Sequence, residues 1–248
     1  MKKLFKISYL TACLFAVVSL LSCKNPSSAN DGIKVEIPEH YQVPKELKYT
    51  LFDDPMSYIV DRLYPIGWSK DGRYLAYATE PADEAVGAYF FEIHIKDFST
   101  NSDAWMWKPE EDPETGSIAT TWSENQELFD SKLKEFGIIP QEFQLEGFDA
   151  PFIDKNTRVW IDTTMRYSDF LCQDVVNNVT IKCGTLEENR TIFEYTHSNE
   201  YDLILYEGLG GLIKCPYKDM AAVVGVTMSR GYEGPPHVIS FYFTKVEK

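Results

Sequence analysis

Basic residues are scarce in this chain: 24 lysines and arginines stand against 38 aspartates and glutamates, with only four histidines. The net charge of −14 excludes non-specific attraction to nucleic acid, which draws proteins through Lys and Arg. Past residue 21 no apolar run approaches the ~20 residues of a spanning helix. Gly-x-Ser-x-Gly, His-Glu-x-x-His and phosphate-loop patterns are missing, so the local signatures of serine hydrolases, zinc peptidases and NTPases are missing too. Gly208-Leu209-Gly210-Gly211 lacks the spacing of a dinucleotide fingerprint and reads as a loop between strands. His40, His94, His197 and His237 form no pair at helical or hairpin metal-ligand spacing. No metal and no cofactor is expected.

The N-terminus is richer. Lys2, Lys3 and Lys6 precede a fifteen-residue apolar stretch from Ile7 to Leu21, and Leu20-Leu21-Ser22-Cys23 closes it. This is the layout of an export signal, too short to span a bilayer. The four closing residues resemble the lipobox of bacterial lipoproteins. The resemblance implies cleavage before Cys23, a lipid (diacylglyceryl, with palmitate-type chains) on Cys23, and a cell-envelope protein held to a membrane. Each buried acyl CH₂ contributes ~0.8 kcal/mol, so two or three chains hold a domain durably. Lys24 follows where the inner-membrane retention signal of enteric bacteria has Asp, so outer membrane is the expected address, facing the periplasm or the cell surface. Residues 1–22 are thus expected to be a signal peptide and residues 23–45 a tether, rich in Ser, Asn, Asp, Gly and Pro. Residues 46–248 are expected to be one mainly-β domain. Loss of the signal removes three lysines and leaves 21 basic against 38 acidic residues, a balance of −17.

Strand patterns dominate the rest. Phe91, Ile93 and Ile95 alternate with Glu92, His94 and Lys96, which places the polar three outward. Further strands are predicted at 73–79, 158–164, 179–182, 191–197, 203–206, 211–214, 221–228 and 238–244. One segment is helical in pattern. Ser123 and Gln126 suit a capping box, Leu128, Phe129, Leu133 and Phe136 form an apolar face, and Gly137 and Pro140 stop it. The predicted helix covers 124–136.

Ile66-Gly67-Trp68-Ser69-Lys70-Asp71-Gly72-Arg73-Tyr74-Leu75-Ala76-Tyr77 resembles the repeat of TolB-type, WD40-like β-propellers, and the likeness extends over about one blade, 60–108. It implies a β-hairpin followed by two more antiparallel strands, with 97–101 as a turn. Closure of a propeller takes at least four blades. Only a degenerate second copy is visible, at 218–226. The expected fold is therefore mainly β, with propeller-like or sandwich-like antiparallel sheets and one inserted helix. Ser229-Arg230-Gly231-Tyr232-Glu233-Gly234-Pro235-Pro236 resembles the ending of a family of predicted secreted bacterial proteins of unknown function, which implies no activity.

Candidate chemistry is thin. Arg230, Tyr232 and Glu233, flanked by glycines, form a candidate binding loop or a structural turn. Cys172 and Cys183 could form a disulfide in an oxidising compartment; buried free thiols, with Cys215 as a third, are the alternative. Glu110-Glu111-Asp112-Pro113-Glu114 is an acidic loop without the Gly turn of a calcium site. Trp105 with Trp107, and Tyr89 with Phe91, share strand faces that serve as core or as a stacking shelf. The leading functional expectation is a non-enzymatic envelope lipoprotein binding a protein or a small ligand. The alternative is an envelope hydrolase acting on glycan or peptide through paired carboxylates.

Overall fold

The structure is a computed structural model that describes residues 43–47, 58–83, 88–109, 118–146, 157–185, 187–199, 203–231 and 237–247. These residues build a mainly-β architecture of curled antiparallel sheets, one of them a half-barrel, with a single inserted helix. Fourteen strands are described: β1 (Tyr58–Val60), β2 (Arg62–Ser69), β3 (Tyr74–Glu80), β4 (Ala82–Asp83), β5 (Ala88–Tyr89), β6 (Glu92–Asp97), β7 (Ser102–Trp107), β8 (Ile138–Pro140), β9 (Arg158–Ser168), β10 (Gln173–Gly184), β11 (Asn189–Thr196), β12 (Ile204–Lys214), β13 (Met220–Ser229) and β14 (His237–Glu247). Helix α1 is Ile118–Glu135.

β2, β3, β6 and β7 pair in succession as a four-stranded meander, and β8 adds to the free side of β2. The Ser-x-Asp-Gly segment closes its first hairpin by local hydrogen bonds. Ser69 Oγ donates to Asp71 Oδ1 at 2.6 Å, Gly72 N to Ser69 O at 2.9 Å, and Arg73 N to Asp71 Oδ1 at 3.0 Å. Gly72 takes the φ of 73° that the turn requires. A register shift between Pro65 and Gly67 lets Leu63 and Trp68 face one side of β2 while Tyr64 and Ile66 face the other.

Four layers follow from the contacts. α1 presents Trp122, Phe129 and Leu133 to Tyr64, Ile66, Ile93 and Ile95 of the five-stranded sheet. The opposite face of that sheet, with Leu63, Trp68, Leu75 and Tyr77, packs on Ile213, Ala222, Val224 and Phe243 of the sheet β1-β14-β13-β12. The far face of this second sheet, with Leu212, Ala221, Val223 and Val246, packs on Val159, Val176, Val179 and Ile181 of the sheet β11-β10-β9. Apart from β1, the strands of the middle layer are thus the last in sequence. Both of its faces are covered, which is why β13 reads as an unbroken apolar run at 220–226 rather than an alternation. The spatial order of the sheets departs from chain order, whereas blades of a propeller follow one another around an axis; these sheets are stacked as sandwiches.

Three expectations are corrected. The helix begins at Ile118, not 124: Ser123 lies inside it, and Asn125 Nδ2 donates to Thr121 O at 3.0 Å. Its end is as expected, with Gly137 in the left-handed region donating to Lys134 O at 3.1 Å. The glycine-rich 208–211 is not a loop but the interior of β12, with a register shift between Leu209 and Gly211 where Glu146 bridges to Leu212. Cys172 and Cys183 form no disulfide. They stand at opposite ends of β10, eleven residues apart at ~3.3 Å per residue, whereas a disulfide needs Cα atoms within ~7 Å. Cys172 is exposed and free; Cys183 and Cys215 are buried and free.

The pairing of β8 with β2 depends on Gly67. A Cβ there would stand 2.2 Å from Ile139 O. Gly67→Ala is expected to push β8 off the sheet edge and cost about 1–3 kcal/mol, read as a lower urea midpoint.

Candidate functional site

The meander holds a buried histidine with a strongly raised proton affinity. His94, expected to point outward, is buried, because the polar face of β6 is covered as well as the apolar one. Its ring lies parallel to Tyr77 of β3, with centroids 4.9 Å apart and an 8° angle between planes. Nδ1 is 3.1 Å from Asp103 Oδ2 of β7, and Nε2 is 3.3 Å from Glu92 Oε2, with Thr79 Oγ1 at 3.4 Å. Burial by itself would lower the proton affinity of this imidazole. The two carboxylates outweigh it and carry the pKa up to about 9. His94 is therefore an imidazolium with both N–H groups engaged, so it has no lone pair for a base or a metal ligand.

Neighbouring acids are tied down in the same way. Burial raises the Asp61 carboxyl, opposed by hydrogen bonds from Ser240 and from Ala82 N, the latter at 2.9 Å. Glu80, buried at the end of β3, accepts from Tyr64 Oη at 2.6 Å and Arg62 Nη1 at 3.1 Å. Asp97 at the end of β6 is held well below the usual carboxylate range, first by Arg73, whose Nε and Nη2 both reach it, then by Ser99. A second buried pair lies between the other two sheets. His197 Nε2 is 3.2 Å from Glu207 Oε1, and Thr227 Oγ1 donates to Glu207 Oε2 at 3.2 Å. Burial raises Glu207 despite these partners.

Two cavities flank residues 43–47. One, of about 320 Å³, is lined by Val43, Pro44, Pro65, Ile66, Pro140 and Phe143, with the Lys45–Glu142 ion pair at its margin. The other, of about 310 Å³, is lined by Leu47, Tyr58, Asp61, Arg62, Leu63 and Phe241. Both are of a size for a small ligand.

Of the residues singled out in the sequence, Arg230 is exposed just past β13, with its N–H 3.4 Å from Leu203 O. Tyr232 and Glu233 lie outside the described residues, as do Cys23 and the acidic stretch 110–114. Trp105 and Trp107 pack against the α1 core: Trp107 meets Phe129 edge-on at 5.2 Å, and Phe91 lies 6.1 Å from both. The shelf is core; the side chain of Tyr89 lies outside the described ones. Among the described residues no group of three or more His, Cys, Asp or Glu side chains is placed to hold a metal ion, and no helix is long and apolar enough to cross a membrane.

Reasoning from the sequence missed the hairpin joining β9 to β10. There Met165, Tyr167 and Phe170 are exposed, Phe170 at 69%. The signal was present in Tyr167-Ser168-Asp169-Phe170-Leu171-Cys172, where two aromatics flank a turn rather than a core strand. No protein-family model, curated protein or solved structure matches the chain.

Proposed function

We propose that this chain is an envelope lipoprotein, lipid-anchored through Cys23 and facing the periplasm or cell surface from the outer membrane, whose β domain binds a protein partner without catalysis. The observation that carries the binding role is the β9–β10 hairpin. It projects Phe170 into water at its tip, where burial of an aromatic side chain against a partner gives the largest return per residue. The perturbed acid–base groups are consistent with this reading, since His94, Asp97 and Glu207 are each engaged with neighbours inside the fold.

Two measurements on intact cells test it. Cys23→Ala is expected to lose labelling by a clickable palmitate analogue and to move the protein from the membrane pellet to the soluble fraction. Unchanged labelling and sedimentation would refute the anchor. A photo-crosslinking amino acid at position 170 is expected to give one discrete heavier adduct with the anchored protein, weakened in the Cys23→Ala background. No adduct, or an indiscriminate smear matched by a crosslinker on α1, would refute the binding role.

A further inference from the structure

β9 is an edge strand with little to protect it. It is the outermost strand of its sheet, paired with β10 on one side, and among the described residues no strand lies on the other. It runs eleven residues without proline or lysine, and the register irregularity of this pair, between Val176 and Asn178, is in β10. Thr163, Thr164 and Met165 are exposed in succession, so neither face of its middle is covered, and Tyr167 follows at 60% exposure. Monomeric proteins blunt such edges with lysine, proline or bulges, because a row of open N–H and C=O groups recruits another strand. The question is which strand fits.

The charges on β9 answer it. Arg158, Asp162 and Arg166 recur every fourth residue on one face. An antiparallel pairing of β9 with itself, centred on Asp162, would set Asp162 against itself and Arg158 against Arg166. Centring on Thr163 pairs the whole strand but matches no charge. Centring on Trp160 matches Arg158 with Asp162 over a short overlap only. Centring on Thr164 sets Asp162 of each copy opposite Arg166 of the other, twice over, and pairs residues 160–168. It also sets Met165 opposite Thr163 and Tyr167 opposite Ile161, covering the two exposed apolar side chains. Lys182 of β10 holds Asp162 at 2.8 Å on this face, and Arg166 Nη2 donates to Asn199 O at 2.9 Å; the carboxylate has lone pairs, and the five-donor guanidinium has hydrogens, enough to add a partner across the axis.

We propose that β9 pairs antiparallel with β9 of a second copy, about a twofold axis beside Thr164, giving a symmetric dimer with one sheet continuous across both chains. The pairing stops at Ser168, so the Phe170 tips project beyond it and remain open to a different partner. The dimer rests neither on lipidation nor on what the tip binds.

The test uses the full chain in mild detergent, in a Cys172→Ser background that removes the exposed native thiol. Thr164→Cys faces the axis and is expected to give a disulfide-linked dimer under mild oxidation, while Thr191→Cys on β11, at the opposite edge of the sheet, and the Cys172→Ser parent stay monomeric. Adding Asp162→Arg sets like charges opposite at two sites and is expected to lower the dimer yield by about tenfold or more. The exchange Asp162→Arg with Arg166→Asp restores it. Absence of the Thr164→Cys dimer, or a yield indifferent to Asp162→Arg, would overturn the proposal. A monomeric mass for the unsubstituted chain at micromolar concentration by sedimentation equilibrium would overturn it independently of any variant.

Discussion

Trp68→Ala is expected to destabilise the domain by about 3–5 kcal/mol, a large part of the stability of a typical domain. The indole is fully buried, stacks on Phe98 with centroids 5.4 Å apart, and lies in the interface between the five-stranded sheet and the middle sheet. Its removal opens a hole between two sheets, each pinned on its other face by a further layer, so neither can relax into the space. Trp68→Phe separates shape from polarity. The buried Nε1 makes no hydrogen bond in the structure, so phenylalanine gives up contact area without stranding a partner. The expected cost is about 1–2 kcal/mol. Urea unfolding followed by fluorescence or circular dichroism distinguishes the two. A Trp68→Ala loss below 1 kcal/mol would mean that the two sheets do not share this core.

His94 gives the second large effect, and it depends on pH. Its folded pKa of about 9 lies above the ~6.5 of an unfolded chain, so the folded state holds the proton more tightly. The stabilisation is complete below pH ~6.5 and disappears as pH rises through 9. Its size is about 3 kcal/mol, from ~1.4 kcal/mol per pH unit of displacement. Burial also lowers the pKa of Lys96 on the same strand, so the useful quantity is the gap between wild type and His94→Gln, in which Lys96 is common to both. At pH 6 wild type is expected to be more stable by about 3 kcal/mol, and the gap closes by pH 9.5. A gap independent of pH would show that His94 binds its proton no more tightly in the fold than in the unfolded chain.

How far these residues could be read from sequence depended on whether the deciding contact was local. The Ser69 to Tyr74 turn is held by bonds within six residues, and the strand that follows it is where the pattern placed it. His94 was misplaced for the opposite reason. Alternation on β6 reports that two faces differ in polarity; it cannot report that Tyr77, directly opposite on β3, stacks on the imidazole and itself packs on Phe243 of the next sheet. The glycines of β12 misled similarly. Gly211 marks where residues 145–146 cross the strand edge, and a close approach from 65 positions away leaves the same local composition as a turn. Ser123 and Gln126 mimicked a helix start because the true first turn, at Ile118-Ala119-Thr120-Thr121, carries no acidic residue. The hairpin tip was visible as Tyr167 and Phe170 beside a turn; its exposure was not, since sequence records which side chains are apolar and not which ones lack a neighbour.

The place of β12–β14 in the stack bears on how the chain reaches its native state. The strands that fill the centre follow both of their neighbours in the chain, so neither interface can close until they arrive. A nascent chain would carry one uncovered apolar face once the first sheet forms and two once β11 is complete, and the contacts that cover them are long-range ones that form slowly. Holding such a chain away from its neighbours during that interval is a task for chaperones, and truncation before residue 220 would leave it permanently in that state.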